Sequence, residues 1–76
     1  MKVRVFSTPV CPYCFALKEY LKDSKVEFED VDVAGNDAAR EEMIEKSGQM
    51  GVPVVDIDGE FIVGFDKARI KKLLGI

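Results

Sequence analysis

Residues 2–24 have the sequence KVRVFSTPVCPYCFALKEYLKDS and contain the signals that decide the fold. Apolar and polar side chains alternate from Lys2 to Ser7, which is typical of a β-strand. The tripeptide Thr8-Pro9-Val10 breaks this alternation. After the break the apolar residues recur at spacings of three and four, which is typical of a helix. The stretch therefore predicts a strand that leads through a short turn directly into a helix.

This helix is predicted from Pro12 to about Ser24. Its apolar positions include Cys14, Leu17 and Leu21. Proline suits the first helical position because an N–H at that position would have no partner within the helix, so its absence costs nothing. Cys11 is therefore predicted to lie at or beside the N-cap, with Cys14 one turn further into the helix.

The rest of the chain continues in alternating elements. The same patterns predict a strand at Val26–Val33, a helix from Asn36 or Asp37 to about Ser47, strands at Val52–Ile57 and Glu60–Val63, and a last helix capped by Asp66. The side-chain parity changes between Phe28 and Val31, which allows a bulge or an early end in the second strand. Asp58-Gly59 is a strong signal for a two-residue hairpin.

The element order β-α-β-α-β-β-α limits the topology. Two strands that flank a helix pair in parallel through a right-handed crossover, and the last two strands form an antiparallel hairpin. We therefore predict an α/β fold with a mixed four-stranded sheet and three helices. At 76 residues, the chain is expected to form a single domain over residues 1–76 and to act as a monomer.

Charge and composition narrow the classes of partner. The net charge is −3, so we do not expect a nucleic-acid partner, because no basic face is available to neutralise phosphates. The basic residues of the last helix suit the negative end of its own dipole. No signal peptide or membrane span is visible, so we expect a cytoplasmic protein without a membrane partner.

The two cysteines are poorly placed to stabilise the fold. A bridge between two cysteines with only two residues between them closes a tiny loop, which gives little stabilisation in the loop-entropy model. In a cytosolic chain, an isolated Cys-x-x-Cys favours catalysis or metal binding. Unpaired N–H groups at a helix N-terminus stabilise an anion, so we expect Cys11 to supply the attacking thiolate. Cys14 is expected to be more buried and to resolve the mixed disulfide.

Two alternatives compete with disulfide exchange. A closed zinc site needs four ligands, and the chain has no histidine and no third cysteine. A metal or iron–sulfur site would therefore have to form across a dimer or with an external thiol. In the other alternative, both cysteines are ordinary buried thiols, which their position between a strand and a helix disfavours.

The chain resembles the glutaredoxin family at these residues. Cys11-Pro12-Tyr13-Cys14 is identical to the active-site tetrapeptide of dithiol glutaredoxins, and Val52-Pro53 and the Gly64/Asp66 pair fall at the positions of two further family signatures. The resemblance implies a thioredoxin fold with a cis Val52–Pro53 bond. It also implies a dithiol oxidoreductase that reduces protein or glutathione mixed disulfides, with no tightly bound cofactor and no metal.

The resemblance further implies a binding site for glutathione as co-substrate. The residues that it assigns to substrate or glutathione binding are Tyr13, Gln49, Val52, Pro53, Gly64, Phe65 and Asp66. In the family, the glutathione backbone pairs with the residue before the cis proline, and its γ-glutamyl end lies at the start of the last helix. The physics agrees, because helix N-terminal N–H groups bind carboxylates.

Some residues depart from the usual glutathione-binding pattern. Thr8 stands where many glutathione-using members have lysine, and Lys67 stands where a second acidic residue is common. Gly64-Phe65 resembles the Gly-Phe of NrdH-type redoxins, which thioredoxin reductase reduces. The sequence therefore leaves two electron sources open, glutathione and thioredoxin reductase, with disulfide-containing proteins as partners.

Overall fold

The computed structural model describes residues 2–76, and within them the chain forms four strands and three helices. In chain order these are β1 (Val3–Ser7), α1 (Pro12–Asp23), β2 (Glu29–Asp32), α2 (Asp37–Ser47), β3 (Val54–Ile57), β4 (Glu60–Val63) and α3 (Lys67–Leu74). The predicted element order is confirmed. No helix in this described part of the chain is long and apolar enough to cross a membrane.

The strands form one mixed sheet in the order β2-β1-β3-β4. β1 pairs in parallel with β2 and antiparallel with β3, and β3 pairs antiparallel with β4. The predicted parallel pair and the predicted hairpin are both confirmed. Because of these directions, one edge of the sheet holds the ends of β1, β2 and β4 together with the start of β3.

The helices cover both faces of the sheet. On one face, α1 and α3 pack against Val3 and Val5 through Leu17, Leu21 and Ile70. On the other face, α2 covers Phe6 and Val54 through Ala39 and Met43. Successive residues of β1 alternate between these two cores, as the pleat of a strand requires. We call the two sides the α1 face and the α2 face.

The second strand begins later than predicted, at Glu29 instead of Val26. The chain leaves α1 through Lys25, whose φ is 59°, and the Val26 N–H donates to the carbonyl of Leu21 at 2.9 Å. This segment therefore closes the end of α1 and is not available for the β ladder. Val26 and Phe28 are apolar because they pack against the core from the connection.

The third strand also begins later than predicted, at Val54 instead of Val52. Pro53 has no N–H to give to the ladder. The four residues of β3 are all buried, as expected for a strand covered on both faces. The other predicted boundaries agree with the structure to within one residue.

Local signals fix the remaining turns. Asp58 and Gly59 have φ of 51° and 94°, the two positive values that a type I′ hairpin requires. The Asp66 carboxylate accepts a hydrogen bond from the Arg69 N–H at 3.2 Å and caps α3. This cap sets where α3 begins, at the same edge of the sheet as the start of α1.

Candidate active site

Three segments meet at the edge of the sheet where β1 ends. β1 leads through Thr8–Val10 to Cys11, the Val52–Pro53 segment leads into β3, and β4 leads to Gly64. Phe6 of β1 lies opposite Val54 of β3, and the Gly64 N–H donates to the Pro53 carbonyl at 2.8 Å. The fold therefore brings the cysteine segment and the two other predicted segments to one place.

Cys11 is the N-cap residue of α1, as predicted. Its backbone is extended, with φ −97° and ψ 113°, and its sulfur accepts a hydrogen bond from the Cys14 N–H at 3.2 Å. The side chain is partly exposed. A sulfur in this position receives an N–H of the first helical turn, and negative charge is favoured there. Solvent access and anion stabilisation thus coincide at one thiol.

Cys14 is fully buried beneath Cys11. Burial, together with a hydrogen bond and the charge of Cys11, raises the pKa of the Cys14 thiol to about 11. A backbone hydrogen bond from Thr8 and the positive charge of Lys18 act in the opposite direction. At neutral pH this thiol therefore carries its proton and can donate it to the Cys11 sulfur. The predicted difference in burial between the two thiols is confirmed.

A charged cluster that sequence reasoning missed lies beside Cys14. The Lys18 Nζ is 3.0 Å from Asp30 Oδ2 and 3.4 Å from Ser7 Oγ, and the Ser7 hydroxyl donates to Asp30 Oδ1 at 2.9 Å. We call Ser7, Lys18 and Asp30 the Lys18 cluster. Although burial raises the pKa of Asp30, the hydrogen bonds from Lys18 and Ser7 lower it below its usual range. The spacing of four between Cys14 and Lys18 was the one sequence signal for this cluster.

The Val52–Pro53 bond is cis, as the family resemblance implied. Pro53 is buried, Val52 is partly exposed, and Gly64 adopts a φ of 76° where β4 ends. The Phe65 ring packs against Tyr20 of α1, with 5.8 Å between the ring centroids. These contacts join α1, the proline segment and the start of α3 into one surface.

Two predicted binding residues lie outside these contacts. Tyr13 is 70% exposed on the first turn of α1. Gln49 is exposed in the loop after α2, where its backbone N–H and carbonyl both contact the Ser47 hydroxyl. Their proposed roles in ligand binding stay predictions.

Exposed apolar side chains occur next to the two cysteines in the sequence, and also in the loop before Pro53. Large exposed ones include Val10, Tyr13, Phe15 and Met50. Three of them belong to the segment that carries Cys11 and Cys14. Among residues 2–76, no three His, Cys, Asp or Glu side chains are grouped so that they could hold a metal ion.

The fold and the site define a class of protein. A cysteine pair at the N-terminus of the first helix, on a four-stranded mixed sheet flanked by three helices, is the arrangement of a thiol redox protein with a thioredoxin-like fold. The Glutaredoxin family model matches residues 3–62. The chain belongs to the glutaredoxin family, whose members are thiol–disulfide oxidoreductases.

Two relatives and two solved structures are similar over most of the chain. A glutaredoxin-like protein in the rubredoxin operon of Clostridium pasteurianum is 53% identical and covers 95% of this chain and 96% of its own length. Glutaredoxin 3 of Escherichia coli K12 is 41% identical, with coverages of 84% and 77%. A mutant of the thioredoxin-like protein BC3987 superposes with a TM-score of 0.93 at 37% identity, with coverages of 99% and 96%. The NrdH-redoxin of E. coli, a glutaredoxin-like protein with a thioredoxin-like activity profile, gives 0.84 at 25% identity, with coverages of 96% and 95%.

Proposed function

We propose that this protein is a cytoplasmic dithiol oxidoreductase that reduces protein disulfides and glutathione mixed disulfides through Cys11 and Cys14. The observation that carries the proposal is the inequality of the two thiols. Cys11 is accessible at the α1 N-cap and accepts an N–H, whereas Cys14 is buried one turn away. Exchange needs one accessible attacker and one nearby resolver, and this pair supplies both.

The reaction runs in two exchange steps. The Cys11 thiolate attacks one sulfur of the target disulfide, so that a Cys11–target bond forms and the first target thiolate leaves and takes up a proton. Cys14 then loses its proton and attacks the Cys11 sulfur. The Cys11–Cys14 bond forms, the Cys11–target bond breaks, and the second target thiolate leaves and is protonated. The target gains two electrons, and the cysteine pair is oxidised to a disulfide.

Glutathione is the first candidate for the reductant that restores the dithiol. The Cys-Pro-Tyr-Cys tetrapeptide, Val52-Pro53 and Asp66 keep the parts of a glutathione site that depend mostly on backbone. Thr8 and Lys67 change the side chains that are usual there. Loss of one charge-assisted contact to a ligand carboxylate costs about 1.5–3 kcal/mol, roughly ten- to a hundredfold in affinity. We therefore expect measurable but modest turnover with glutathione.

Thioredoxin reductase is the second candidate, and the similarity to NrdH-redoxin favours it. Gly64-Phe65 matches the Gly-Phe of that group. Phe65 packs on Tyr20, which also has the Lys67 ammonium over its ring at 5.0 Å from the centroid. An aromatic and cationic surface at the start of α3 is suited to a protein partner as well as to a small thiol.

The test supplies the oxidised protein with NADPH and either glutathione plus glutathione reductase, or thioredoxin reductase alone. A glutathionylated peptide and a protein disulfide serve as the two substrates, and NADPH consumption is followed. The proposal predicts turnover of at least one substrate in at least one system, and none with a Cys11→Ser variant. If the wild type is inert in both systems although its thiols are reduced, the proposed function is wrong.

A further inference from the structure

Cys14 must lose a proton before it can release the target, and its surroundings oppose this. The thiol is fully buried, and burial is the main reason that its pKa is raised. Two of the other causes come from Cys11, whose sulfur becomes neutral when it enters a mixed disulfide. What then remains to offset the desolvation of the Cys14 thiolate is the Thr8 backbone hydrogen bond and the charge of Lys18.

Lys18 lies on the same face of α1 as Cys14, one helical turn further on. Its ammonium does not extend freely into solvent, because Asp30 Oδ2 at 3.0 Å and Ser7 Oγ at 3.4 Å hold it at the end of β1. Ser7 is buried and directly precedes Thr8, the residue whose backbone contacts the Cys14 thiol. The cluster therefore fixes a positive charge beside the one thiol that must ionise in a dry environment.

A cleft connects this cluster with solvent. It contains about 300 Å³ of empty space, open to the outside, and is lined by Ser7, Thr8, Pro9, Lys18, Asp30 and Asp32. Water in such a polar cleft can accept a proton and carry it away. Cys14 itself has no exposed surface, but Thr8 and Lys18, which both act on its thiol, line this cleft.

We propose that Lys18, anchored by Ser7 and Asp30, is a positioning residue that stabilises the Cys14 thiolate in the step that releases the target. The proposal rests on the proposed function and specifies its second step. The Cys14 proton passes to water in the cleft, the thiolate forms the bond to Cys11, and the target leaves as a thiolate that is protonated in turn. Lys18 keeps its own proton throughout.

The charges near Cys14 give the expected sign. From α1, Cys11 and Lys18 act on it, and from β2 the Asp30 and Asp32 carboxylates line the neighbouring cleft. Ser7 of β1 and Thr8 of the turn that follows it carry no charge. Asp30 is paired with Lys18, and Lys22 also acts on it from one turn further along α1. Removal of Lys18 therefore leaves two carboxylates near Cys14 and takes away the cation whose charge acts on its thiol. Ionisation of Cys14 then becomes harder, and the release step requires a higher pH.

The test mixes the reduced protein with one equivalent of an aromatic disulfide whose two halves are released as coloured thiolates. The first release reports attack by Cys11, and the second reports attack by Cys14. Stopped-flow traces over a series of pH values compare the wild type with Lys18→Met, Lys18→Arg and Lys22→Met. Lys22 is an exposed lysine one turn further along α1 and provides the matched loss of charge.

We expect the first release to be the same in all four proteins. In Lys18→Met, the midpoint of the second release shifts to higher pH by about one pH unit. Below the midpoint its rate falls by about threefold, because a tenfold loss of thiolate is partly offset by the greater nucleophilicity of the less acidic thiol. Lys18→Arg restores most of the wild-type profile, and Lys22→Met matches it.

Two results would overturn this inference and leave the proposed function in place. One is a second release in Lys18→Met that has the pH profile of Lys22→Met. The other is a second release that slows equally at every pH, which would mean that Cys14 is displaced and not that its thiolate is destabilised. Absence of any coloured release from the wild type would instead remove the proposed function and this inference together.

Discussion

The two faces of the sheet each carry a partly buried cation held by acidic side chains, but the two clusters are built differently. On the α2 face, Arg4 makes four hydrogen bonds, two to Asp56 and two to Glu42, over 2.6–3.2 Å. We call these three residues the Arg4 cluster. On the α1 face, Lys18 contacts Asp30 and a hydroxyl. The Asp56 side chain is 8% exposed, whereas that of Asp30 is 51% exposed.

This difference gives the two clusters different roles, one in the stability of the fold and the other in the chemistry of the site. The hydrogen bond with Glu42 is the main cause that raises the pKa of Arg4 still further, so Arg4 keeps its positive charge at every accessible pH. Its fork joins α2 to two strands and leaves no charge unpaired. Lys18 is a compact point charge with a solvated partner, which contributes little to stability but acts on a neighbouring thiol. The face with the weaker ion pair is the face that carries Cys14.

The largest expected effect is a complete loss of activity in a variant that still folds. Cys11→Ser should abolish disulfide exchange completely, because serine is not a nucleophile under these conditions. The free energy of unfolding should change by less than about 0.5 kcal/mol, since serine is also a good N-cap residue. Exchange assays and urea unfolding of the same preparation check both statements.

Cys14→Ser is the matched control for the roles of the two cysteines. This variant keeps the attacking thiol and lacks the resolving thiol, so it should accumulate mixed disulfides with protein substrates that mass spectrometry detects. Equal trapping by the two serine variants would contradict the assignment of Cys11 as nucleophile and Cys14 as resolver.

The next effect concerns the α2 face. Arg4→Met should lower the free energy of unfolding by about 2–3 kcal/mol, because it leaves the buried Asp56 carboxylate without its cation. The exchange rate of the folded protein should not change. Arg40→Met is the control, since its guanidinium lies 4.0 Å from Asp37 on the exposed side of α2 and should contribute less than about 0.5 kcal/mol. Similar losses in both variants would show that the Arg4 cluster is not special.

A smaller effect distinguishes the clusters by pH. The hydrogen bond from Arg4 lowers the pKa of Glu42, and the pKa of Asp30 is also lowered, despite partial burial, by Lys18 and Ser7. Carboxylates with a lowered folded-state pKa bind fewer protons in the native state. Their stabilisation is therefore present above about pH 4, the unfolded value, and is lost as pH falls through the folded value.

Urea unfolding at several pH values between about 7 and 3 measures this loss. The wild type should lose stability more steeply below about pH 4 than Arg4→Met, which lacks the contribution of Glu42. Lys18→Met should lack the part of the Asp30 contribution that comes from Lys18, whereas Ser7 and Lys22 still act on this carboxylate. Parallel curves for all three proteins would mean that neither carboxylate is coupled to its cation in solution.

Much of the fold and of the cysteine pair could be predicted because the signals are local. The change of period at Thr8–Val10, the proline at the first position of α1 and the Asp58-Gly59 hairpin each act within a few residues. The same reasoning failed at Val26, where a partly buried apolar residue belongs to a connection and not to a strand. Apolar residues appear in the sequence both in a strand and in a connection that packs against the core. At Val26 the way in which α1 ends decides which of the two forms.

Both charged clusters depend on strand register, which no local signal specifies. Arg4 meets Asp56 because β1 and β3 place the two residues opposite each other. Ser7 meets Asp30 because β1 and β2 run in parallel with Val5 opposite Asp30. A shift of one residue would turn each side chain to the other face of the sheet. The charged groups around Cys14 could therefore be identified only from the pairing of the strands in the sheet.

The smallest expected effect is the loss of stability in Lys18→Met. It is the most direct test of the difference between the Lys18 cluster and the Arg4 cluster. Lys18 and Asp30 should be coupled by only about 0.2–1 kcal/mol in a double-mutant cycle with Asp30→Asn, because the half-exposed carboxylate regains water when its cation is removed. The Ser7 hydroxyl also remains as a partner for Asp30. A coupling as large as the 2–3 kcal/mol loss expected for Arg4→Met would show that Lys18 holds the fold together. Its effect on the release step would then follow from packing around Cys14, and the two faces of the sheet would not divide stability from chemistry.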